Sequence, residues 1–142
     1  RTGPLDARPE TSRPVRLVGG CLSVLAAPLT GAPGVRIRPD GRWLILEDVG
    51  EAPHRIDRHL AALRFAGWFE RAVGVILGDF HMQGARDQRS AVVELLRFHA
   101  PPGLPVVTTR DFGHVWPMSP LPLNRWLAMH VSRDRVQVCD IV

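Results

Sequence analysis

An α/β fold, a single compact domain with a mixed β-sheet flanked by helices and closed by a C-terminal β-hairpin, is predicted by three features of this sequence. Short apolar runs of strand length alternate with longer stretches whose apolar residues recur at helical spacing. Glycine and proline fall mostly between those runs. The last two apolar runs lie close enough together to pair directly. The chain has 142 residues, the size of one ordinary domain, and its 45% hydrophobic content suffices for one core without disulfide or metal staples.

Taken in order, residues 1–14 (RTGPLDARPETSRP) are polar, broken by proline and without a consistent period, which predicts a linker or connection and starts the domain proper at 15–142. VRLV then enters Gly19 and Gly20, and CLSVLAAPL predicts a short helix that Pro28 distorts or ends. WLILED, Trp43 to Asp48, is a buried strand with an acidic pair at its end. In HRIDRHLAALRFAG, Ile56, Leu60 and Leu63 recur at helical spacing and Gly67 supplies the stop. VGVILGDF, Val73 to Phe80, is a second buried strand. DQRSAVVELLRFHA is a helix ended by Pro101 and Pro102, and LPVVTT is a third strand leading into RDFGH. RWLAMHV and RVQVCDIV, separated by Ser132, Arg133 and Asp134, form the terminal hairpin.

Composition excludes several classes of function. The net charge of +4 and the pI of 10.8 come entirely from arginine, since all 18 basic residues are Arg, but these are scattered among acids and form no basic block. No aromatic-basic motif or zinc-finger spacing accompanies them, so no nucleic-acid partner is expected. No apolar run reaches the roughly 20 residues needed to cross a bilayer, and no signal-peptide pattern opens the chain, which predicts no membrane association and a soluble, reducing setting. Cys21 and Cys139, each within a largely apolar run, read as small buried hydrophobes rather than a disulfide.

Two polar clusters follow the most apolar runs: Glu47 and Asp48 after WLIL, and Asp111 to His114 after LPVV. Ligands of α/β sheets collect beyond the carboxyl ends of strands, so an acid and an imidazole remote in sequence have a place to meet. A carboxylate beside a histidine fixes its tautomer and leaves the other ring nitrogen to take a proton from a nucleophile. The residues alone favour a plainer reading, in which Glu47 begins a turn or caps the next element and His114 hydrogen-bonds within a glycine turn.

Four ordered blocks bear on that choice. They are 19–25 (GGCLSVL), 46–58 (LEDVGEAPHRIDR), 74–80 (GVILGDF), and Pro105-Val106 followed by Phe112-Gly113-His114. Together these resemble the C-terminal domain of the serine LD-carboxypeptidases, from about residue 15 to the end. The resemblance implies a cytoplasmic, homodimeric enzyme of peptidoglycan recycling that cuts an L-D amide bond to release terminal D-alanine from murein tetrapeptide; related members hydrolyse microcin-type adducts. It also implies a Ser-Glu-His triad in which Glu47 and His114 are the acid and the base, and the serine belongs to an N-terminal nucleophile domain absent from this chain. No cofactor is implied.

The chain departs from the family pattern at Cys21, where Asn is common, and at His54, where Tyr is common, which implies altered recognition of the peptide. His54 and His59 stand i,i+5 and therefore on different faces of a helix, unlike a zinc-binding pair, so no metal site is expected. Ser12, Ser23, Ser90, Ser119 and Ser132 lack the strand-turn-helix setting of a nucleophile elbow, so no nucleophile is expected in this chain and the chain alone is expected to be inactive. The alternative expectation is a non-catalytic binding or dimerisation module that keeps the family fold.

Overall fold

The computed structural model describes residues 11–30, 37–81, 87–131 and 136–140. β2 (Leu17–Cys21), β3 (Trp43–Val49), β4 (Gly74–His81) and β5 (Val106–Thr108) form a parallel sheet in chain order. β1 (Thr11–Val15), β6 (Leu127–Val131) and β7 (Val136–Asp140) form an antiparallel sheet in the order β1-β6-β7. The mixed character predicted from sequence thus belongs to two stacked sheets, each of one kind. Among the described residues no helix is long and apolar enough to cross a membrane.

Parallel neighbours need a crossover. α1 (Leu22–Ala26) with the 3-10 turn Ala27–Thr30, α2 (Pro53–Phe65) with α3 (Trp68–Arg71), and α4 (Arg89–His99) supply one each. Strands laid down in chain order by crossovers of one hand put every helix on the same face of the sheet. The core divides accordingly. Leu44, Leu46, Val75 and Leu77 pack with Leu22, Ile56, Leu60, Leu63, Phe69 and Leu96 from the helices, whereas Leu17, Ile45 and Ile76 turn the other way onto Val15, Leu127 and Met129 of the antiparallel sheet. A strand covered on both faces needs apolar residues at odd and even positions, which is why WLIL and VGVIL are uninterrupted.

The N-cap residues Ala52 of α2 and Gln88 of α4 make no side-chain cap; Pro53 opens α2. Packing therefore holds them, each fully buried leucine contributing about 1.5–3 kcal/mol relative to exposure. One polar tie joins the two helices: His99 Nε2 lies 2.7 Å from Asp57 Oδ1.

Three local features differ from the sequence expectation. Residues 11–14, assigned to the connection, belong to β1 and pair with β6 from Thr11↔Val131 to Val15↔Leu127. The strand has one neighbour, and an edge strand tolerates the missing N–H of Pro14; residues 1–10 of the expected linker lie outside the described ones. Gly19, Gly20 and Cys21 lie within β2, a strand not expected from the sequence, and the short helix expected from Cys21 begins at Leu22, because backbone pairing of the glycines to Ile45 and Leu46 needs no side chain. α3, four residues after the left-handed Gly67, is too short for any period to reveal. The β6–β7 pairing is observed, with its turn residues Ser132, Arg133 and Asp134 outside the described set.

Candidate active site

The end of β3 sorts its two acids to opposite faces. Side chains alternate along a strand, so Glu47 continues the face of Ile45 and Asp48 that of Leu46. Asp48 Oδ2 accepts a hydrogen bond from the Ser23 amide at 2.8 Å, satisfying one of the unpaired N–H groups of α1 from a neighbouring strand. Glu47, buried to 6% residue exposure, points away from the helices. Register explains the room it has: Leu46 pairs with Leu77 but Asp48 with Phe80, so two residues, Gly78 and Asp79, stand opposite the single Glu47. This bulge re-aims the end of β4, as bulges near functional sites do.

The loop after β5 lies against that bulge. The Asp79 amide donates to the Phe112 carbonyl at 2.9 Å and the Thr109 amide donates to the Leu77 carbonyl at 2.8 Å. Two glycines make the approach possible. A Cβ on Gly78 would meet the ring and the carbonyl of Phe112 at 2.6 Å, and one on Gly113, at φ 114°, would stand 2.6 Å from Asp79 Cβ and 3.3 Å from Glu47 Cβ. His114 comes next in the chain. Its Nδ1 lies 3.1 Å from Glu47 Oε2, across 67 residues of sequence.

The pair is asymmetric: the His114 side chain is 69% exposed and that of Glu47 8%. A carboxylate only accepts, so this contact sets the proton on Nδ1 and leaves Nε2 as the acceptor on an open ring. Chemically such an arrangement can serve as a general base with its orienting carboxylate.

The other candidates distribute around this rim or away from it. Cys21 is register partner of Glu47 on β2, half-buried, with Sγ 3.2 Å from Ser23 Oγ. Cys139 is exposed, against the expectation of burial, because alternation along β7 puts it on the face opposite Val138, the residue that packs with Met129 in the core. Both cysteines are free. His54 is exposed on the first turn of α2 and His59 is half-buried one turn and a half later. Asp48 serves α1 and not the imidazole.

Sequence reasoning gave no role to a second acid and histidine that the structure brings to the same place. Asp79, buried to 7% exposure, lies under Gly113, and its Oδ2 is 2.8 Å from His81 Nδ1, a close approach without hydrogen-bond geometry. The signal was present: GDFH follows VIL as EDV follows LIL, an acid where an apolar strand ends.

Comparison with known proteins identifies the family of the chain. The model of the LD-carboxypeptidase C-terminal domain matches residues 15–129. A Streptomyces coelicolor protein assigned as a carboxypeptidase is 41% identical over 107 residues, 75% of this chain and 33% of its own length. A Bacillus subtilis protein assigned as a murein peptide carboxypeptidase is 32% identical over 119 residues, 82% of this chain and 37% of its own. The chain therefore spans about a third of the length of these curated relatives. Among solved structures, the muramoyltetrapeptide carboxypeptidase of Oxalobacter formigenes superposes with a TM-score of 0.70 at 26% identity, covering 96% of this chain and 49% of that one. An MccF-like protein of Streptococcus pneumoniae, at 20% identity, shares the fold with a TM-score of 0.73 over 91% of this chain and 41% of that one. With the family model covering most of its length, this chain belongs to the LD-carboxypeptidase C-terminal domain family.

Proposed function

We propose that this chain supplies the acid and the base of a serine LD-carboxypeptidase that releases terminal D-alanine from murein tetrapeptide in cytoplasmic peptidoglycan recycling. The observation that carries the reading is the 3.1 Å contact between His114 Nδ1 and Glu47 Oε2 with the imidazole exposed and the carboxylate buried. A serine on an N-terminal nucleophile domain attacks the amide carbon of the L-D bond. His114 Nε2 takes the serine proton and later returns it to the departing D-alanine nitrogen, while Glu47 holds the ring and stabilises the imidazolium. Water then resolves the acyl-enzyme by the same base. Oxyanion donors belong with the nucleophile, on backbone amides of its domain. A homodimer is the assembly that goes with this reading.

The experiment compares D-alanine release from murein tetrapeptide by this chain alone and by the chain joined to a matching nucleophile domain. Release is expected only from the joined form, and His114→Ala is expected to abolish it. Hydrolysis by the chain alone that disappears on changing Cys21 or Ser23 would overturn the assignment of the nucleophile.

A further inference from the structure

Thr109 is where the chain leaves β5 and enters the loop that carries His114. All of its polar groups are engaged. Its amide donates to the Leu77 carbonyl at 2.8 Å, its hydroxyl accepts from the Asp111 amide at 3.1 Å, and its carbonyl accepts from Arg89 Nη1 at 3.0 Å. Arg89 opens α4, and its side chain is only 15% exposed. It does not reach Thr109 freely. Asp87 grips it through Oδ1, which accepts from Nε at 2.8 Å and from the Arg89 amide at 3.0 Å, and through Oδ2, which accepts from Nη2. Asp87 is itself bridged to His81 at the end of β4.

We propose that Arg89, locked by Asp87, is a positioning residue for His114: it pins the Thr109 carbonyl, so that the loop delivers the imidazole to Glu47. A simpler role, closing the first turn of α4, requires only the Asp87 carboxylate and the Arg89 amide. It leaves the contact to a carbonyl 20 residues away without a purpose. The planar fork of a guanidinium suits such a bridge, with one edge held by a carboxylate and another nitrogen free for a carbonyl. Downstream the brace continues: Asp111 is tied to Thr109 and Phe112 to Asp79, so few free torsions remain before His114. The hydrogen bond from Arg89 holds Asp87 down at about 2, so this lock stays charged throughout the neutral range.

The test reads the His114 ring directly, by ¹⁵N chemical shifts of the histidines in this chain, for Arg89→Ala and Arg89→Lys. The ratio of the Nδ1–H to the Nε2–H tautomer of His114 is expected to fall about tenfold in Arg89→Ala, the scale of one lost charge-assisted hydrogen bond. Arg89→Lys, which keeps the charge but not the fork, is expected to fall in the same direction, and millimolar guanidinium to restore the ratio in Arg89→Ala. Leu96→Ala serves as a control that lowers stability without touching the loop. An unchanged ratio in whichever Arg89 variant folds, or an equal change in Leu96→Ala, overturns the proposal. A second arm rests on the proposed function: in the joined enzyme Arg89→Ala is expected to lower kcat about 10- to 100-fold with KM little changed. A shifted tautomer with full kcat would keep the clamp and sink the reading of His114 as base.

Discussion

Two hydrogen-bonded imidazole–carboxylate pairs among the described residues have opposite burial. In His99–Asp57 the ring is 6% exposed and the acid 47%; in His114–Glu47 the ring is 69% exposed and the acid 8%. The contacts are chemically alike, at 2.7 and 3.1 Å. What differs is which member the packing fixes. A buried ring tethered by an exposed acid joins α2 to α4 and offers nothing to a substrate. A buried acid, held at the end of β3, presents an open ring in one tautomer.

Removing each imidazole should separate the two roles most sharply. His114→Ala is expected to lower D-alanine release by the joined enzyme about 10³-fold or more, while the stability of the chain moves within about 0.5 kcal/mol, as for an exposed position. His99→Ala is expected to do the reverse, costing about 1–3 kcal/mol through a lost buried contact and leaving Asp57 in water. Kinetics paired with denaturant unfolding reads both. Equal effects of the two substitutions on turnover would break the comparison.

The acids provide the next contrast, on adjacent positions of one strand. Glu47→Gln is expected to lower turnover by about 10²- to 10⁴-fold, because an amide no longer dictates the Nδ1–H tautomer. Asp48→Asn is expected to cost about 1 kcal/mol of stability, since its oxygen satisfies the Ser23 amide, with turnover retained. Loss of activity in Asp48→Asn and not in Glu47→Gln would move the orienting role to Asp48, against the alternation of β3.

A smaller effect tests how the exposed ring is held. Gly113→Ala places a methyl 2.6 Å from Asp79 Cβ at a positive φ, so the loop must lift from the bulge. The expected cost is about 1–3 kcal/mol, read as a drop in Tm, together with reduced turnover. An unchanged Tm would mean that the loop does not depend on its seat against Glu47 and Asp79.

β3, β4 and β5 of the parallel sheet and the long helices were legible because burial on two faces, or on one stripe, writes itself into local apolar pattern, whereas β2, with two glycines among its five residues, carries no such pattern. WLIL and the Ile56, Leu60, Leu63 series needed nothing else. The β1 strand was not legible: residues 11–14 contain a proline and polar side chains, and only the distant β6 makes them a strand. The site was half legible. Strand-end acids and the DFGH loop could be located, and alternation separates Glu47 from Asp48 once β3 is known. The bulge that puts Gly78 and Asp79 opposite Glu47 is a property of the pairing between strands, and Arg89 meets Thr109 only through that fold. Neither leaves a trace in spacing.

The Asp87–Arg89 pair extends the burial rule to a cation that does not titrate. Its carboxylate is 47% exposed and its guanidinium 15%, the order found in His99–Asp57, so it belongs with the structural pairs. The hydrogen bond from Arg89 lowers Asp87 from 3.8 to about 2. A carboxyl that is more acidic in the folded than in the unfolded chain contributes stability above its unfolded value and loses it as pH falls through the folded one. Asp87→Asn should therefore be less stable than the parent at pH 5, by no more than about 1 kcal/mol because solvent screens so exposed an acid. The difference should fade between pH 4 and about 2, measured as urea midpoints across that range. A difference that stays constant to pH 2 would mean that the carboxylate acts through shape rather than charge, and that exposure order alone does not sort these pairs.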